Sequence, residues 1–115
     1  MRSQRQYIQD ILEAMEAAET FVAEVSLKEL EENLEKKLAL QRAFEIIGEA
    51  TKQVDPSLRD RYPNVSWDQM AGIRDILIHE HFAVDLEVVL RTVREDFPRD
   101  KKALRRVLDD LGDNE

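Results

Sequence analysis

The chain has 115 residues, 37% of them charged, a net charge of −8, three glycines, three prolines and no cysteine. This is the balance of one small domain (1–115) built from long, charge-decorated helices, with disulfides and thiolate metal sites excluded. The N-terminus has no apolar signal core and no run approaches the roughly 20 apolar residues of a membrane span, so a cytosolic protein off the membrane is expected, and the acidity argues against a uniformly basic surface for general nucleic-acid binding.

Tyr7, Ile8, Ile11, Leu12, Met15, Ala18 and Val22 follow helical spacing and predict an amphipathic first helix over roughly 3–24. Ser26 with Glu29 reads as a capping box that opens the next helix. From Leu27 to about Val54 the helical pattern is nearly unbroken, through Leu30, Leu34, Leu38, Ala43, Phe44, Ile47 and Ala50. That is long for a globular helix, so a break is expected within 32–37. Gly48 costs about 1 kcal/mol relative to alanine inside a helix, and its presence suggests close approach of a neighbour. Asp55-Pro56 ends the run, 57–62 can form a short helical turn, and Pro63-Asn64 marks a loop.

Ser66 with Gln69 gives a second capping box, opening a helix at Trp67 that is expected to run to about His79 or His81. Asp85 is placed to cap a further helix, from Leu86 to about Asp96, with Val89, Leu90 and Val93 on its apolar face. Pro98 is expected to separate it from a last helix near 100–111, with Leu104, Val107, Leu108 and Leu111 on one side. No strand pattern, repeat or flexible linker is visible. The expected fold is all-α, an up-and-down bundle of four to five helices.

Charge is unevenly spread. Asp10 to Glu35 holds nine acids and only Lys28 as a base, whereas Arg91 to Arg106 holds seven bases against three acids. These are either two solvated helix faces or an acidic face for a protein partner and a basic one for RNA.

The chemistry concentrates in WDQMAGIRDILIHEHFAVD, residues 67–85, an apolar stretch that nevertheless holds Arg74, Asp75, His79 and His81, including both histidines of the chain. Arginine offers a fixed cation with a planar fork suited to phosphate, and histidine exchanges protons near neutral pH. Asp75 and His79, four apart, can touch on a helix, where the carboxylate would orient the ring and favour its protonated form. At about 100° per residue, Arg74 and His79 diverge by about 140° on a straight helix, and Arg74 and His81 share nearly one stripe. The set suits metal-independent RNA cleavage: histidine moves the protons of the 2′-hydroxyl and the leaving 5′-oxygen, and arginine stabilises the phosphoryl charge. One histidine cannot be base and acid in one step, so a two-fold dimer would be useful. His-x-His is a strand-like ligand spacing, so no metal site is read from His79 and His81. Trp67 and Phe82 read as core anchors, and Met70, Ile73 and Leu77 as a core stripe.

The segment W-x5-IRDILIHEHFAVDLEVV, with QRAFEIIGEATKQV and RDRYPNVSW before it and RTVREDFPRDK after it, resembles the HepT type of HEPN ribonuclease toxins over nearly the whole chain. The resemblance implies a dimeric helical bundle with an Arg-x4–6-His motif in a cleft at the homodimer interface, and RNA cleavage without metal or other cofactor. It also implies a partner, an MntA-type nucleotidyltransferase antitoxin that transfers AMP onto a tyrosine just after the motif histidine. On this chain the motif arginine is Arg74, the polar residue beside it Asp75 and the motif histidine His79. The AMP-accepting position falls on His81, and the glycine usual in the next stretch is Ala83. An imidazole would give a labile phosphoramidate where a phenol gives a stable phosphodiester. The function expected is therefore the toxin component of a toxin–antitoxin system, an endoribonuclease. The alternatives are a catalytically inactive helical module that binds a nucleotidyltransferase, and a bundle whose Arg74 and His79 are satisfied polar groups at a dimer seam.

Overall fold

A computed structural model of the chain describes residues 2–73 and 82–112. The first helix, α1 (Gln4–Phe21), is opened by Ser3, whose hydroxyl accepts from the Gln6 amide while the Gln6 side chain accepts from the Ser3 amide. The short α2 (Leu27–Glu31) begins with the expected Ser26/Glu29 capping box. The long run then breaks where expected. Asn33 has an extended backbone, and its Oδ1 accepts from the Lys36 amide at 3.0 Å to start α3 (Leu34–Lys52). At the other end of α3 the Arg59 guanidinium donates to the carbonyls of Thr51 (2.8 Å) and Val54 (3.2 Å). Pro56 then opens α4 (Pro56–Arg61), at a position where its missing N–H costs nothing.

After the Pro63-Asn64 loop come α5 (Trp67–Ala71) and, beyond the residues not described, α6 (Phe82–Arg91). Two sequence expectations are corrected here. Asp85 does not cap α6; its backbone is already inside a helix that includes Phe82. Pro98 does not separate two helices. A π-helical turn (Thr92–Asp96) links α6 to α7 (Phe97–Leu111), and Pro98 lies in the first turn of α7. The wider turn lets the Phe97 amide donate to Thr92 and absorbs the missing donor of the proline without ending the rod.

Side-chain contacts fix the directions of the rods. Gln4 at the start of α1 bonds the Gln53 carbonyl and the Asp55 amide past the end of α3, and Lys36 at the start of α3 donates to the Phe21 carbonyl that ends α1. Arg5 reaches Leu108 and Gly112 at the end of α7, Arg105 pairs with Glu16, Lys101 with Glu19, and Arg94 with the Val22 and Val25 carbonyls. Both α3 and the α6–α7 rod therefore run antiparallel to α1, an up-and-down arrangement. The same contacts revise the charge reading. Part of the acidic face of α1 and part of the basic stretch are turned toward each other instead of toward separate partners.

The described residues are helices and connections, all-α, around one buried cluster. Ile8, Ile11, Met15, Leu40, Phe44, Ile47, Val93, Phe97 and Leu104 lie within it, and the Phe44 and Phe97 rings meet at 5.7 Å between centroids. Leu34 and Leu38, which the periodicity places in the same stripe, are exposed in the first turns of α3. No helix among the described residues is long and apolar enough to cross a membrane.

Candidate functional site

Arg74, Asp75, His79 and His81 all lie outside the described residues, as does Leu77. What the structure describes is the frame that holds the segment at both ends: α5 running into Ile73, and α6 leaving from Phe82.

A helix of five residues has almost no stability of its own, so α5 must be fixed from outside. Three contacts do this. The Trp67 indole is buried and its Nε1 donates to the Tyr62 carbonyl at 3.0 Å. Met70 and Ile73 are buried on the side facing α3, where the two backbones come close at Gly48. A Cβ there would stand 3.4 Å from the Ala71 carbonyl oxygen and 3.7 Å from that of Met70. The third contact comes from α7. Asp100, only 2% exposed, accepts from the Ser66 hydroxyl at 2.9 and 2.8 Å and from the Ser66 amide at 3.3 Å. The Ser66/Gln69 capping box expected from the sequence is thus not formed. Ser66 makes no side-chain bond to α5, because its hydroxyl is held by a carboxylate 34 residues away.

Between α5 and the α6–α7 rod lies a cavity of about 430 Å³, directly beside the end of α5 that leads into Arg74. Among the described residues, Asp68, Gln69, Met70 and Ile73 line one wall, and Val88, Arg91, Thr92, Asp96 and Phe97 the other. The volume is that of a small-ligand site, and its lining mixes apolar side chains with polar and charged ones. Of the basic stretch, Arg94, Arg99, Lys101 and Arg105 are engaged with carbonyls or carboxylates of the chain itself. Arg91 at the cavity is exposed and has no such partner among the described residues.

The family model described as "Ribonuclease HepT-like" matches residues 11–107, which take in the whole frame and the segment between its ends. The chain belongs to the ribonuclease HepT-like family. It is 40% identical over 97 residues to the protein named "Probable ribonuclease HepT" of Thermococcus cleftensis, covering 84% of this chain and 88% of that one. It is 36% identical over 106 residues to "Putative RNase MJ1380" of Methanocaldococcus jannaschii, covering 92% and 97%. No solved structure gives a significant match.

In this HepT-like chain the motif was legible in sequence and its supports were not. The Asp100–Ser66 contact and the placing of Asp68 and Arg91 in the lining of one cavity bring together positions far apart in the chain, and neither leaves a local pattern.

Proposed function

We propose that the protein is the toxin component of a toxin–antitoxin system, acting as a homodimeric, metal-independent endoribonuclease. The observation that supports this most is the family match over residues 11–107, which contains an intact Arg-x4-His motif. The site is built from Arg74, Asp75 and His79 of both subunits. In the reaction the 2′-oxygen of a ribose bonds to the adjacent phosphorus as its proton passes to one His79. The bond from phosphorus to the 5′-oxygen breaks, and that oxygen takes a proton from the second His79. The products are a 2′,3′-cyclic phosphate and a 5′-hydroxyl. Arg74 stabilises the charge on the phosphoryl oxygens, and Asp75 orients the imidazole.

The partner on this reading is an MntA-type nucleotidyltransferase. Because His81 stands at the position that accepts AMP, that partner restrains the toxin by binding instead of by a stable modification. His81 also favours a second reading, an inactive module that only binds the nucleotidyltransferase. Comparing wild type, His79→Ala and Arg74→Ala on RNA, each with and without an MntA-type nucleotidyltransferase, separates the two. Cleavage by wild type alone, lost in both variants and suppressed by the partner, supports the toxin. A stable complex with no cleavage by any of the three supports the module.

A further inference from the structure

The cavity between α5 and the α6–α7 rod carries a charge pattern that phosphodiester cleavage does not need. Asp68 on the α5 wall and Arg91 at the end of α6 both line it and are both exposed. Among the described residues, neither has an ion-paired or hydrogen-bonded side-chain partner, and they do not pair with each other. Opposite charges that share one hollow and stay apart leave room for a group that satisfies both. Phosphate does not suit the space, because the carboxylates of Asp68, Asp96 and Asp100 outnumber the one guanidinium in its walls. A flat, neutral group does. Val88, 36% exposed, supplies apolar surface for one of its faces. Its edges must then donate to a carboxylate on one side and accept from an arginine fork on the other.

Guanine has that pair of edges: N1–H and N2–H as adjacent donors, and O6 with N7 as acceptors for an arginine. Unpaired bases splayed from a strand are the usual means of sequence-specific RNA recognition. The π turn at Thr92–Asp96 forms part of the same wall, and such turns recur at functional sites. We infer that the cavity is a base subsite that takes an unpaired guanine of the RNA substrate. This rests on the ribonuclease reading above and extends it to substrate choice.

The test is binding of four fluorescent 2′-O-methyl trinucleotides, differing only in the central base, to the intact protein. These RNAs cannot be cleaved, so the readout is independent of catalysis. Guanine should bind about 10-fold or more tighter than the other bases, within the range of one bidentate base contact. Arg91→Ala and Asp68→Ala should each abolish the preference. Arg91→Lys should abolish it too, because lysine keeps the charge and loses the fork; retention of guanine preference by the lysine variant would overturn the base assignment. Val88→Trp, which fills the cavity from a position already 36% exposed, should weaken guanine binding without unfolding the chain. Equal binding of all four RNAs, no binding of any, or a preference that survives both alanine substitutions overturns the inference. Cleavage of ordinary RNA by wild type without base preference would leave the ribonuclease standing and remove the subsite. Guanine-selective binding without any cleavage would do the reverse.

Discussion

Asp100 is the buried anchor on which the approach to the motif depends, and its removal has a magnitude that follows from the geometry. A hydroxyl has one proton, so the 2.9 and 2.8 Å contacts from Ser66 are one bond shared between two carboxylate oxygens, and the 3.3 Å amide contact is a weaker second one. A hydrogen bond to a charged acceptor is worth about 1.5–3 kcal/mol net. Asp100→Ala should therefore cost about 3 kcal/mol and Ser66→Ala about 2 kcal/mol. Asp100→Asn, which keeps one acceptor oxygen, should cost about 1 kcal/mol. For a domain of this length 1 kcal/mol moves the melting temperature by about 4 °C, so Asp100→Ala should melt about 12 °C lower. Trp67 is the only tryptophan of the chain and directly follows Ser66, so its fluorescence reports unfolding at the place perturbed. Because both single variants break the same bond, the double variant should be less destabilised than their sum by about 2 kcal/mol. Full additivity, or an Asp100→Ala variant that melts within about 2 °C of wild type, would refute the assignment of Asp100 as the anchor of α5.

Gly48→Ala should leave stability unchanged or raise it by up to about 1 kcal/mol, since its Cβ meets only ordinary contacts and alanine favours the helix; Gly48→Leu should cost about 1–3 kcal/mol by forcing α3 from α5, both read from denaturant unfolding. Leu40→Ala should cost about 2–5 kcal/mol, whereas Leu38→Ala, two residues away but 55% exposed, should stay within about 0.5 kcal/mol. The Tyr62 hydroxyl donates to Asp110 at 2.7 Å, and that bond, with some burial and the nearby negative charge, raises its pKa above the ordinary phenol value. A raised pKa means that the stabilisation is complete below the ordinary tyrosine range and is lost as pH climbs through the folded-state value. Ultraviolet titration should show one of the two tyrosines ionising late, and Asp110→Asn should bring that step down.

The elements legible in sequence were those decided by neighbours a few residues apart. Ser26 with Glu29, the break before Leu34 and the short helical turn after Asp55-Pro56 each rest on a local bond or a local steric rule, and the structure keeps them. The readings that failed were settled across the fold. Ser66 gave up its own helix for Asp100, and Pro98 was accommodated by a π turn that no single residue announces. Leu34 and Leu38 match the periodicity of the core and still miss it, because their side of the first turns of α3 is open to solvent. The acidic and basic stretches looked like two separate faces until the antiparallel packing of α1 on α7 set Glu16 and Glu19 against Arg105 and Lys101. Of the candidate site, the motif was visible as residue types at a spacing, whereas the cavity between α5 and the α6–α7 rod required the fold.

The most direct measurement is end-group analysis of RNA incubated with purified protein in excess chelator. The account predicts fragments ending in 2′,3′-cyclic phosphate and beginning with 5′-hydroxyl, formed by wild type and absent with His79→Ala. Cleavage that stops when metal is removed, 5′-phosphate products, or an undiminished His79→Ala enzyme would contradict it.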